Sequence, residues 1–229
     1  MPVSPHADQP NPVSRLRVTF SVHGAACYVS HLDQTRAWVR ALRRLGLPLA
    51  YSHGFNPHPR ISVATPLAVG VCGQRELLDL FFDAWVDPHE LSRRLPSELH
   101  PGFTVHSVDE IPLNAPPLPS LVTAADYTVR FLEPPPADLA LRVEGLLAAE
   151  SLPFTRLRQD KASTFDLRPR ILAAELVQHG GELLLALRLV HGPSGAARPD
   201  DVVAALGIEP LATRAVRTGL VLAEGRTVG

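Results

Sequence analysis

Near the midpoint of this 229-residue chain lies PLNAPPLPS, residues 112–120. Its four prolines remove backbone donors and push the residues before them out of helical geometry, so neither a helix nor a central strand can run through it. At this length the chain has room for one large domain or for two of about 100 residues each, a size at which a domain can fold on its own. We read 112–120 as a proline-rich linker between an N-terminal domain, 15–111, and a C-terminal domain, 121–229. The polar, proline-rich start, 1–14, reads as a disordered arm, without the basic-then-apolar pattern of a signal peptide. No stretch reaches the roughly 18–20 apolar residues of a membrane span. These features point to a cytoplasmic chain that does not engage a membrane.

The two halves repeat one order of elements. RLRVTFSV (15–22) alternates at period two and reads as a strand. Ser30-His31-Leu32-Asp33 is a capping box that opens a helix running to Leu45, with Gly46 as its stop. Leu32, Thr35, Val39 and Leu42, joined by Trp38 and Leu45, form its expected buried stripe. Next come a short strand LPLAY, an irregular apolar segment from Ile61 leading into a strand over 76–86, a short helix capped by Asp87, and a strand over 103–111. In the second half, 125–133 reads as a strand and 136–150 as a helix. FTRLRQ, LRPRILAAELVQ and ELLLALRLV read as strands, the last two joined at His179-Gly180-Gly181. A helix over 198–207 and a closing strand complete the series. The pattern predicts an α+β protein of two tandem ferredoxin-like (βαββαβ) domains with antiparallel sheets.

Charge is distributed unevenly although the total is only −1. Residues 15–60 hold seven arginines against the single acid Asp33, a net +6, whereas 61–110 hold three arginines against eight acids, a net −5. Lys161 is the only lysine, so the positive charge is almost all guanidinium, the group suited to bidentate phosphate contacts and to stacking on bases. Arg36, Arg40, Arg43 and Arg44 share one face of the first helix. Cys27 and Cys72 are the only cysteines. That number rules out a four-cysteine zinc site and any iron–sulfur cluster held by three or more cysteines of this chain. A disulfide is not expected in a cytoplasmic chain, so both read as reduced, partly buried thiols.

YVSHLDQTRAWVRALRRLGLPLAYSHGFNPHPRIS (28–62) resembles the signature of the radical SAM-linked protein family, also described as a domain of unknown function. FDLRP (165–169), RPDDVVAALG (198–207) and RTGL (217–220) are similar to further pieces of that family, whose pattern carries Gln where this chain has His53. The resemblance implies a partner, a cobalamin-binding radical SAM protein encoded beside the domain or fused to it. It does not imply radical SAM chemistry here, because the CxxxCxxC that such chemistry needs is missing. No cofactor and no metal are expected in the chain itself.

Within that signature, LAYSHGFNPHPRIS (49–62) admits several readings. His53 and His58 could be metal ligands with His23 or His31, but the spacing is loose and no acid lies in the loop. His31 and His58 could act as an acid–base pair in a metal-independent endoribonuclease similar to Cas6-type proteins, since two imidazoles near neutrality can serve as base and acid. The reading we favour is a stiff binding loop. Asn56-Pro57 and His58-Pro59 restrict the backbone, Gly54 can supply a positive φ, Tyr51 and Phe55 offer faces for base stacking, and Asn56, His58 and Arg60 offer hydrogen bonds. Beside the Arg36–Arg44 face, such a loop suits single-stranded or looped RNA. The bland alternative is a tight connection, a core phenylalanine and a solvated arginine face, which would leave a protein–protein adaptor. In the second half Arg168, Arg198 and Arg217 are candidates for an anion-binding cleft. The sequence thus points to a non-catalytic substrate-recognition module, binding structured RNA and serving a radical SAM enzyme.

Overall fold

The computed structural model describes residues 11–53, 55–158, 161–192, 195–223 and 227–228. The described residues are mixed α+β, with five α-helices against β-strands, and every strand pairing named below is antiparallel. The chain divides into two compact units, Met1–Leu121 and Val122–Gly229.

In the first unit, β1 (Ser14–Val22) pairs with β3 (Cys72–Phe82) on one side and β4 (Phe103–Glu110) on the other, and the short β2 (Ile61–Val63) pairs with the far edge of β3. The spatial order is β2-β3-β1-β4. Leu16 and Val18 stand opposite Leu80 and Leu78, and these side chains are fully buried with Trp38, Ala41 and Leu42 of α1 (His31–Arg44). Phe20, Trp38 and Phe103 form an aromatic cluster, with Phe20 edge-on to Trp38 at 4.8 Å. Truncating Trp38 there would cost about 3–5 kcal/mol. The helix α2 (Pro88–Arg94) is capped by Asp87, whose carboxylate accepts from the His89 N–H at 2.9 Å, and buries Leu91.

Helix α1 begins as its capping box predicts: the Ser30 hydroxyl oxygen accepts from the Asp33 N–H at 3.2 Å, and Gly46 ends it at φ +68°. Its buried stripe is rotated from expectation, however. Leu32 is 66% exposed and Thr35 and Val39 only half-buried, while Gln34, Trp38, Ala41 and Leu42 face the core. Gln34 can be buried because its amide donates to the carbonyls of Ala26 and Val29; an apolar-only count misses such a satisfied polar residue. The strand expected over 76–86 starts at Cys72 and ends at Phe82 instead. The reduced thiols expected at Cys27 and Cys72 are corrected to a disulfide, with Cα atoms 4.9 Å apart. The 3-10 turn Gly24–Tyr28 lies against the lead-in to β3, where the Gly70 N–H donates to the Cys27 carbonyl at 2.8 Å, and this brings the two cysteines together.

The proline-rich segment is less free than a linker. Leu118, the first residue of the one-turn α3 (Leu118–Leu121), is fully buried, and the Arg15 guanidinium donates to the carbonyls of Ala115 and Pro116. Residues 1–10 of the arm lie outside the described residues, and β1 already begins at Ser14.

The second unit repeats the order. β5 (Val122–Phe131) lies between β9 (Glu182–Gly192) and β11 (Thr213–Leu222), and β8 (Ile171–His179) pairs with the far side of β9. Helix α4 (Leu139–Ala148) buries Leu139, Val143 and Leu146, and α5 (Pro199–Ala205) buries Val202 and Val203. Glycines 180 and 181, at φ +58° and +81°, make the tight β8–β9 turn that a β-carbon would strain. Short pairs are added by β10 (Gly195–Ala196) on β9 and β12 (Thr227–Val228) on β11. One element was not expected. β7 (Lys161–Asp166) pairs with β6 (Pro153–Arg158) as a separate hairpin, held by a Thr155–Thr164 hydroxyl bond at 2.9 Å and a Phe154–Phe165 contact. The segment read as one strand from Leu167 opens instead with a 3-10 turn, Arg168–Arg170.

Candidate functional site

The signature loop is an excursion from a broken edge strand. Leu49 pairs with Phe82 and Tyr51 with Pro59. The Ala50 N–H donates to Phe81 O, the Arg60 N–H to Ala50 O, and the Phe81 N–H to Arg60 O. The backbone therefore leaves β3 after Ala50 and rejoins it at Arg60. The Ser52 N–H donates to His58 O at 2.8 Å and the His58 N–H to Ser52 Oγ at 3.0 Å, which cinches the neck. His53, Phe55, Asn56 and His58 project into solvent, and Phe55 is 97% exposed. Phe55 is therefore not a core residue. Gly54 lies outside the described residues.

The loop meets the arginine face of α1 at its base. Arg43 donates to the Tyr51 hydroxyl at 3.1 Å, with its guanidinium carbon 6.0 Å from the ring centroid. The four arginines are not equivalent. Arg36 pairs with Asp33 at 2.8 Å, and Arg44 pairs with Glu98 and also donates to its carbonyl. Arg40 has no ion pair among the described residues, and Arg43 has only the tyrosine. Asp33 is held below the usual carboxylate range, first by the Ser30 hydroxyl and then by Arg36. The exposed charge of this face is thus concentrated at Arg40 and Arg43.

His31 and His58 fall on different features. His31 lines a small recess with Gln34, Thr35, Trp38 and the buried Glu76, while His58 sits on the exposed loop. No hydrogen bond joins them among the described residues. His23 bonds Thr104 at 3.0 Å, and no three His, Cys, Asp or Glu side chains converge as a metal-holding group among the described residues.

Arg60 does not reach outward with the loop. Its guanidinium carbon lies 4.9 Å from the centroid of Phe81, and Arg15 lies 5.3 Å from the same ring. Arg15 and Arg17 converge on Asp79, which has no solvent exposure and accepts from both. Sequence reading missed this cluster. Its signal was present, since arginines at alternate positions of β1 face an acid in β3, but the strand register needed to match them was not.

In the second unit Arg168 donates to the carbonyls of Leu147, at the end of α4, and Ile171. Arg198 is exposed before α5, and its N–H donates to the Asp201 carboxylate at 2.8 Å. Asp201 also accepts from the Arg156 guanidinium, Nε at 2.9 Å. Arg217 is 1% exposed, and its charge helps to hold the His191 imidazole below its ordinary pKa, after the larger effect of burial. Asp166 is held below the usual carboxylate range, first by the Leu152 N–H.

These features define an α+β protein of two compact units with a cationic, aromatic loop surface on the first. A bacterial family described as "uncharacterized protein conserved in bacteria", DUF2344, matches residues 15–199, and the chain belongs to that family. The match includes α1, the signature loop and FDLRP, and stops short of Arg217. No curated protein matches the chain.

Proposed function

We propose that the chain is a non-catalytic recognition module for structured RNA, built on two ferredoxin-like units and working with a separate cobalamin-binding radical SAM protein. The fold part of this reading is supported by strand orders β2-β3-β1-β4 and β8-β9-β5-β11, each with a helix after its first and third strand. The partner rests on the resemblance of residues 28–62 alone. One observation carries the RNA part: Phe55 stands almost fully exposed on a cinched loop whose base, Tyr51, is joined to Arg43. A bare aromatic ring is costly to leave in water and suits a stacked base. Arg40 and Arg43, on the α1 face joined to the loop base through Tyr51, supply phosphate contacts.

The test is filter binding of a structured RNA across salt concentrations. Replacing Arg40 and Arg43 together by Glu should weaken binding strongly and flatten its salt dependence, because fewer counterions are released. Phe55→Ala should cost about 1–3 kcal/mol of binding and leave the melting temperature unchanged. Failure to find affinity tighter than about 10⁻⁴ M overturns the reading and leaves the adaptor role. RNA cleavage that His58→Ala abolishes would replace it with the endoribonuclease.

A further inference from the structure

We propose that the cleft over Phe81 in the first unit binds a small ligand carrying an oxyanion, carboxylate or phosphate, on a flat apolar body. The proposal stands whether or not the chain binds RNA.

The cleft has a volume of about 360 Å³, near the lower end of the roughly 300–1,000 Å³ usual for small-molecule sites. Arg15, Arg60, Ser62, Phe81, Leu113 and Pro117 are among its lining residues, and no carboxylate is. The two arginines differ in what they have left to offer. Arg15 is almost fully buried, and its donors go to Asp79 and to the Ala115 and Pro116 carbonyls. Arg60 is half-exposed and stacked on Phe81, and its guanidinium N–H groups have no acceptor among the described residues. The Ser62 hydroxyl lines the same cleft and likewise makes no hydrogen bond among the described residues.

A guanidinium stacked on a ring keeps its donor edge open while losing much of its rotamer freedom before any ligand arrives. That edge matches a carboxylate or phosphate in a two-point contact. The local charge favours the anion as well, because Asp79 offers one carboxylate to the two guanidiniums of Arg15 and Arg17, and Arg60 adds a third cation. Leu113, 47% exposed, and Pro117 make an apolar wall for the body of the ligand. The role of Arg60 in closing the loop belongs to its backbone, through the bonds to Ala50 and Phe81. Substituting its side chain therefore leaves the fold in place.

The experiment titrates the full chain with phenyl phosphate and with benzoate, by calorimetry and by protein NMR, with benzyl alcohol as the neutral control. At least one oxyanion should bind saturably, with Kd about 10⁻³ M or tighter, and benzyl alcohol should not compete. Arg60→Gln should weaken that binding about ten-fold or more, and Ser62→Ala by a smaller factor. Arg93→Gln, at an exposed arginine on α2, should leave it unchanged, as should the double Arg40→Glu, Arg43→Glu variant. Absence of saturable binding of both anions up to about 10⁻² M, a full decade above that limit, overturns the proposal. So does equal affinity in wild type and a folded Arg60→Gln protein, or binding that depends on Arg40 and Arg43 instead.

Discussion

Both units place a phenylalanine against two arginines and give a buried aspartate to a guanidinium, yet among the described residues only the pair at Phe81 includes a guanidinium with no acceptor, that of Arg60. Phe81 carries Arg15 and Arg60 at 5.3 and 4.9 Å, and Phe165 carries Arg156 and Arg170 at 4.9 and 4.1 Å. In the second unit Arg156 reaches Asp201 and the Ala196 carbonyl, Arg170 contacts the same carbonyl, and Arg168 goes to Leu147 and Ile171. A β-carbon at Gly195 would lie 2.8 Å from the Arg170 guanidinium carbon, so the close packing of that arginine also depends on a glycine. In the first unit Arg40, Arg43 and Arg60 keep donors open. At Phe165 both arginines are clasps, whereas at Phe81 Arg15 is a clasp and Arg60 keeps its donors open, so the number of arginines does not tell the two roles apart.

The sharpest test of that contrast is the pair of aspartates. Asp79 is fully buried beneath two guanidiniums, so Asp79→Ala strands two cations and should cost about 3–5 kcal/mol in denaturant unfolding. Asp201 faces the less buried Arg156, whose side chain is 22% exposed, and Asp201→Ala should cost about 1–3 kcal/mol. Equal losses would break the comparison. Next in size is the disulfide, which closes a 45-residue separation in the first unit. Cys27→Ser should lower stability by about 2–4 kcal/mol, and reductant should reproduce the loss in wild type but not in the variant.

A third pair separates clasp from surface directly. Arg168→Ala should destabilise by about 1–3 kcal/mol through the orphaned carbonyls without changing RNA affinity. Arg40→Ala should stay within about 0.5 kcal/mol of wild-type stability while lowering RNA affinity. The opposite pattern would reassign both residues.

The smallest effect expected is on pH dependence. Burial, then Arg217, depresses the His191 pKa in the folded state. The unfolded chain therefore binds the proton more readily, and this contribution is present above the ordinary histidine range and lost as pH falls through the folded value. His191→Gln should flatten the acid side of the stability profile. An unchanged slope would remove His191 from the account.

Much of this was legible because it is local. The Ser30 cap, the Gly46 stop, the Asp87 cap and the His179-Gly180-Gly181 turn depend on a few adjacent residues whose hydrogen bonding and φ preferences act at short range. The proline restriction of the signature loop and the shared face of Arg36, Arg40, Arg43 and Arg44 follow from proline chemistry and helical period. What escaped was set at long range. Gln34 is buried because carbonyls of the preceding turn satisfy it, Cys27 meets Cys72 across 45 positions, and β7 forms because β6 is there to pair with it.

The sequence by itself determined most of the element order, the Ser30 and Asp87 helix starts, the proline restriction at Asn56-Pro57 and His58-Pro59 and the excess of guanidinium in the first half, since each depends on residue type and near neighbours. Only the tertiary structure decided which of those guanidiniums are occupied. Strand register alone brings Arg15 and Arg17 onto Asp79 and sets Arg60 against Phe81 with its donors open, and a partner dozens of residues away leaves no periodic trace in the chain.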